Sequence, residues 1–268
     1  MLTAAALAVG ALVGIVSGLT GIGGGVLMVP FLYLLYARLA VPASEATVLA
    51  HATSLVVIVP TALSGLRAYR GVGLVRWRQA TALAVAAAAA AVVSARVAVH
   101  LPSQGLRAGF GIFLLIVAAD LLRPKAPPTA APLEGRAALV YAVLLGLPVG
   151  ALSAFLGVGG GLVATIGMYY VLNLPFEAVP PTSLAVVVVT AAAGSASYLF
   201  TPAAPLPFGW VVGHVDFGHA LPLAVGAVVA APLGVRLNRR LPVATLRRIF
   251  SVLLFLIGTD LVWENLLR

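Results

Sequence analysis

Gly21-Ile22-Gly23-Gly24-Gly25 and Gly157-Val158-Gly159-Gly160-Gly161 are two near-identical clusters set 136 positions apart in a chain of 268 residues. Each lies inside an apolar run of 36 residues, 2–37 and 137–172. Glycine is a poor helix former that tolerates left-handed dihedrals, so three or four together break a helix. In lipid an open backbone is costly, and a break there needs a purpose. Two breaks at corresponding places in two halves are the sequence mark of a transporter's binding site.

Composition supports the membrane setting. With 62% hydrophobic and 9% charged residues and a mean hydropathy of +1.13, the chain could not cover a soluble domain with polar groups. It reads as an all-α polytopic protein of the cell's inner (plasma) membrane, with lipid as its surroundings. The absence of cysteine excludes disulfides, thiol catalysis and cysteine metal sites. The net charge of +9 does not indicate nucleic acid, because the arginines fall in short loops between apolar runs, where orientation signals belong. The start, Met1-Leu2-Thr3, lacks the basic opening of a signal peptide and reads as the first membrane segment. No metal motif, hydrolase constellation or carboxylate pair is visible, so neither catalysis, metal nor cofactor is expected.

In chain order, spans of about 44–66, 79–99 and 105–122 follow the first broken run. A linker at 123–136, containing Arg123, Pro124, Lys125, Pro127, Pro128, Pro132 and Arg136, then divides the chain into a first repeat at 1–122 and a second at 137–268. Beyond the second broken run come spans of about 176–199, 218–236 and 248–264. The repeat is visible residue by residue. At an offset of 136, Gly10, Gly14, Ser17, Gly21 and Tyr33 match Gly146, Gly150, Ser153, Gly157 and Tyr169. The offset becomes 129 for Thr53-Ser54-Leu55 against Thr182-Ser183-Leu184, and 140 for Arg96, Phe110 and Asp120 against Arg236, Phe250 and Asp260. It changes only in loops, as duplication requires.

Charge predicts that the repeats are inverted. Loop 66–78 carries Arg67, Arg70, Arg76 and Arg78 and belongs in the cytoplasm; its counterpart, loop 200–217, has Asp216 as its one charge and belongs outside. The linker and the arginine loop 236–248 both belong inside, so the run 137–172 must enter and leave on one side. Each glycine-broken run is therefore expected to be a hairpin of two short helices with its tip near the midplane, giving five segments per repeat. Thirty-six residues are too few for two full spans. Loop 96–107 fits least well, since it falls outside yet contains Arg96 and Arg107.

Several residues could carry chemistry. A turn at the midplane leaves unpaired amides at the N-terminus of the returning helix, and these bind anions without a lysine. Gly23, Gly24, Gly25, Gly159, Gly160 and Gly161 are thus candidates for substrate binding, with packing as the alternative reading. Packing is favoured for Gly10, Gly14 and Gly18 and for Gly146, Gly150 and Ala154, which form small-residue faces. Thr53, Ser54, Thr182 and Ser183 could ligate a substrate oxygen or bond back to their own helices. His51, against Pro180 in the second half, is an intramembrane ionisable residue and a candidate substrate donor or proton site. Asp120 and Asp260 read as boundary residues and Arg96 and Arg236 as snorkelling ends. No acidic residue is placed firmly within the membrane.

The paired Gly-x-Gly-Gly-Gly runs followed by Thr-Ser-Leu segments resemble the TauE/SafE family of membrane transporters, the sulfite exporters, over nearly the whole chain. The resemblance implies transport of small sulfur oxyanions and organosulfonates such as sulfite, sulfoacetate or taurine-derived compounds, often outward. It implies a site of Gly23 to Gly25 with Thr53 and Ser54, and Gly159 to Gly161 with Thr182 and Ser183. An exported negative charge gains about 2.3 kcal/mol per 100 mV in a cell negative inside, which favours unaided export. An ion-coupled importer, an anion channel, and an intramembrane enzyme or lipid-handling scaffold remain as other classes; a homo-oligomer is compatible with each.

Overall fold

The computed structural model describes residues 2–122, 131–203, 209–238 and 243–267. Most of the linker 123–136, and parts of loops 200–217 and 236–248, lie outside the described residues. The chain forms α1 (Leu2–Thr20), α2 (Gly25–Arg38), α3 (Ala43–Ala68), α4 (Trp77–Ala98) and α5 (Ser103–Leu122). After the linker come α6 (Gly135–Leu156), α7 (Gly161–Tyr170), α8 (Val179–Phe200), α9 (Phe217–Asn238) and α10 (Val243–Val262). A 3-10 turn (Phe176–Ala178) leads into α8, and a two-residue ribbon, β1 (Val211–Val212) against β2 (Val215–Asp216), precedes α9. Among the described residues, seven helices are long and apolar enough to cross a membrane.

The glycine clusters do break the two runs, but the arms are unequal. α1 has 19 residues and α6 has 22, about 28 and 33 Å of helix, and each could cross a membrane alone. α2 with 14 residues and α7 with 10 could not. The expectation of two short helices per run is corrected on this point, because the glycines sit off centre in each run. The turns themselves are alike. Gly21, Gly23 and Gly24 have φ of 74°, 91° and 80°, and Gly157, Gly159 and Gly160 have 66°, 76° and 77°. All six are left-handed, a region that glycine enters without steric cost. The chain doubles back at each turn: a Cβ on Gly24 would meet Val13 and Ser17 of α1, and one on Gly160 would meet Val149 and Ser153 of α6.

Small residues dictate how the helices pack. A Cβ at Gly10, Gly14 or Gly18 would land on the carbonyl oxygen of Leu223, Ala227 or Ala231, so α1 lies in backbone contact alongside α9, parallel to it. Gly146 and Gly150 meet the carbonyls of Leu83 and Ala87 in the same way, so α6 lies alongside α4. The packing reading of these glycines holds, and each long arm rests on a helix of the other half. Helices in corresponding positions cross antiparallel. Gly65 of α3 receives Leu184 of α8 while Gly194 of α8 receives Leu55 of α3, each at 3.1 Å. On α5 and α10, Gly111 packs at Gly258, and Ser251 donates to the carbonyl of Ala118.

The outer surface suits lipid. On α4, Ala80, Ala84, Ala87, Ala91, Ala95 and Ala98 are buried while Val85, Val93 and Val97 face outward. Small residues go inward because close contact is what holds helices together where the surroundings are as apolar as leucine. Trp77, Trp210 and Trp263 are exposed at or near helix ends, the position that amphipathic rings take at a membrane interface. Arg96 is exposed at the end of α4, as a snorkelling side chain would be.

Gly14→Val would force α1 away from the Ala227 carbonyl and is expected to cost about 3 kcal/mol or more, lowering the melting temperature in detergent by many degrees. Gly109→Ala, on α5 where an added Cβ would have no neighbour within 4 Å, is expected to be neutral or stabilising by up to about 1 kcal/mol.

Candidate functional site

The two glycine turns meet. A Cβ on Gly25 would lie 2.6 Å from the carbonyl oxygen of Gly157 and the Cα of Val158, and one on Gly161 would strike the carbonyl of Ile22. Gly23 and Gly159 both face Ile58 of α3 and Val187 of α8, residues that correspond at the offset of 129. All ten positions of the two clusters are buried.

The Thr-Ser pairs cross-link these elements, half to half. Ser54 Oγ donates to the carbonyl of Gly157 at 2.8 Å, and Ser183 Oγ to the carbonyl of Gly21 at 3.0 Å. Thr53 Oγ1 accepts from the amide of Asp216 at 3.0 Å, and Thr182 Oγ1 accepts from the amide of Arg76 at 3.1 Å. Asp216 and Arg76 occupy corresponding places immediately before α9 and α4. Each threonine therefore holds the start of a helix in the other half, and each serine holds the other half's glycine turn. These four hydroxyls are engaged with protein, and none bonds back to its own helix. Thr47, Thr61 and Thr190 do bond back, to the carbonyls of Ala43, Val57 and Val186.

Two other hydroxyls remain available. Ser17 and Ser153, fully buried at corresponding positions on α1 and α6, make no hydrogen bond. They stand beside Gly24 and Gly160, the left-handed residues that open α2 and α7. Among the described residues, the amides of Gly23, Gly24, Gly159 and Gly160 likewise find no protein acceptor. A helix start with free amides carries partial positive charge, and a free hydroxyl next to it adds a donor. Ser17 and Ser153 were visible in the sequence as a matched pair, but nothing local distinguished them from packing serines.

His51 is fully buried, with Nε2 2.5 Å from the hydroxyl of Tyr33 and Nδ1 unpartnered. Its backbone lies against Gly157, where a Cβ would come 2.6 Å from the His51 Cα. Pro180 takes the same place against Gly21. Asp216, the one charge of loop 200–217, lies inside the protein rather than on its surface. It is fully buried, accepting from the Tyr36 hydroxyl at 3.2 Å, the His219 amide at 3.2 Å and His219 Nδ1 at 2.6 Å. A buried carboxylate requires such partners. The ribbon β1–β2 returns it inward, a turn that charge counting along a loop could not reveal. Asp120 is half-buried with the Tyr170 hydroxyl 3.3 Å from its Oδ1, and Asp260 is exposed.

A helical protein with this many apolar spans and paired internal breaks is a multi-pass membrane transporter. The sequence profile described as "Sulfite exporter TauE/SafE" matches residues 6–261, and the chain belongs to that family. Similar proteins include the probable membrane transporter YunE of Bacillus subtilis, 26% identical over 96% of both chains. The probable membrane transporter MJ0441 of Methanocaldococcus jannaschii is 26% identical over 93% of this chain and 91% of its own. A probable membrane transporter of Xylella fastidiosa is also 26% identical, over 96% and 93%. No solved structure matches.

Ser54→Ala and Ser183→Ala each strand a buried glycine carbonyl and are expected to cost about 1 to 3 kcal/mol. A drop of several degrees in the ligand-free melting temperature would identify these serines as pins between the halves. An unchanged melting temperature would make them substrate ligands instead.

Proposed function

We propose that the protein carries small sulfur-containing oxyanions, such as sulfite, sulfoacetate or related organosulfonates, out of the cell by alternating access. The substrate is held where the two glycine turns meet. The observation that carries this reading is the pair of buried, unpartnered hydroxyls of Ser17 and Ser153, each beside free amides at a left-handed glycine turn. Donors without acceptors, gathered from both halves at one place, suit an anion with several oxygens. In this reading Gly23, Gly24, Gly159 and Gly160 supply amides and Ser17 and Ser153 supply hydroxyls. Thr53, Ser54, Thr182 and Ser183 position the turns, with Gly25 and Gly161 at the contact between them.

Two inverted repeats, 1–122 and 137–268, are part of the proposal. The antiparallel crossings of α3 with α8 and of α5 with α10 support it, as does the exchange of partners by α1 and α6. The short arms α2 and α7 are the natural moving parts, one opening toward each face. Export needs no coupling ion, since the membrane potential drives an anion outward. A second reading, a proton-coupled carrier, draws on the buried cluster of Asp216, His219 and Tyr36.

Calorimetric titration with sulfite, thiosulfate, sulfate, sulfoacetate, taurine and carboxylate controls is expected to find a sulfur oxyanion that binds. Ser17→Ala and Ser153→Ala are each expected to weaken it about tenfold, the loss of one hydrogen bond to a charged group. Gly24→Val or Gly160→Val is expected to abolish binding and transport while the protein still inserts. Unchanged affinity in the serine variants would sink the site. For the mechanism, flux in vesicles should follow an imposed potential; dependence on a proton gradient at zero potential would favour the coupled carrier.

A further inference from the structure

Arg107 is the cation that fitted the sequence reading least, and the structure gives it an inward role. It lies near the start of α5, half-buried, with Nε donating to Thr47 Oγ1 at 2.7 Å and the guanidinium carbon 4.6 Å from the centre of the Tyr33 ring. Thr47 can accept because its own proton goes to the Ala43 carbonyl. Among the described residues no carboxylate pairs with Arg107, and its terminal nitrogens find no acceptor. A half-buried, unneutralised guanidinium is costly unless a counter-charge arrives from elsewhere.

The neighbours of Arg107 lead toward the glycine turns. Tyr33 bonds His51 through its hydroxyl, and Phe110, one turn along α5 from Arg107, packs against both rings. His51 lies one helical turn beyond Thr47 on α3, and its backbone touches Gly157. Contacts therefore run without interruption from Arg107 through Tyr33 and His51 to the turn of the second half. This series of contacts has no full counterpart in the second half, because Pro180 stands where His51 would be.

We propose that Arg107 forms a second, peripheral anion site on the face carrying the starts of α3 and α5, where it receives an oxyanion released from the glycine turns on its way out. This rests on the reading of those turns as the central site. The guanidinium fork pairs with two oxygens on one centre. The ligand class is accordingly a small oxyanion such as a sulfite, sulfonate or carboxylate rather than a halide. Tyr33 holds the guanidinium by its ring face, and Thr47 fixes the orientation of the fork.

Sulfite titrated into the purified full-length protein tests this. Wild type is expected to bind two sulfites per chain, Arg107→Gln one, and Ser17→Ala/Ser153→Ala to lose the other. Arg107→Lys, which keeps the charge without the fork, is expected to weaken the peripheral site about tenfold. Two sites in Arg107→Gln would overturn the proposal, as would a single wild-type site that this variant leaves intact. A single wild-type site lost in Arg107→Gln but kept in the serine variant would uphold Arg107 and overturn the central site. No binding to wild type would overturn both. Should Arg107→Gln fail to fold, Arg107→Lys decides: unchanged sulfite affinity overturns the proposal.

Discussion

A backbone amide or carbonyl without a partner costs several kcal/mol in lipid, and this constraint shapes the whole molecule. Ending a helix inside the protein exposes such groups, and the fold ends helices there twice. The carbonyls at the two breaks are covered by protein, Gly157 by Ser54 and Gly21 by Ser183. Among the described residues, the amides of Gly23, Gly24, Gly159 and Gly160 on the other side of each break find no acceptor. Acceptors are consumed and donors are kept, and the proposed anion site rests on that excess of donors.

Covering the carbonyls from the opposite half has a mechanical result. Each half contributes a Thr-Ser pair, and each pair holds two features of its partner, a glycine turn and the start of a long helix. Neither half could complete its own breaks. α1 on α9 and α6 on α4 add backbone contact that only glycine permits. The halves are thereby interlocked rather than placed side by side.

The features that were legible in the sequence are those governed by local chemistry. Glycine clusters break helices wherever they stand, so both turns could be placed to the residue. Apolar length set the spans within a few residues, and the spacing of Gly10, Gly14 and Gly18 announced a close helix contact without naming the partner. What could not be read depends on residues more than a hundred positions away. Ser54 and Ser183 have the composition of substrate ligands, and their hydrogen bonds to Gly157 and Gly21 could be seen only in the structure. Asp216 looked like a loop charge because the reversal that buries it is a ribbon of two residues per strand. The unequal arms escaped because each 36-residue run reads as two short helices, although the glycines stand off centre in both.

The two-fold likeness of the fold conceals a chemical difference between α2 and α7. On α2, Tyr33 and Tyr36 are tied to a histidine and a carboxylate, and the site of Tyr36 is held by Leu172 in the second half. α7 bonds the next helix through a neutral pair, Thr165 to Ser183, and meets a carboxylate at its exposed end, where Tyr170 lies against Asp120. Under the proposed mechanism, parting α2 from its neighbours would strand buried ionisable groups that must then be hydrated, while parting α7 would break a partly buried neutral pair and a contact to a carboxylate at its exposed end. If α2 and α7 are the moving parts, as proposed, the two faces of the molecule would open against resistances of different physical kind, a buried ionisable cluster on one side and a partly buried neutral pair on the other.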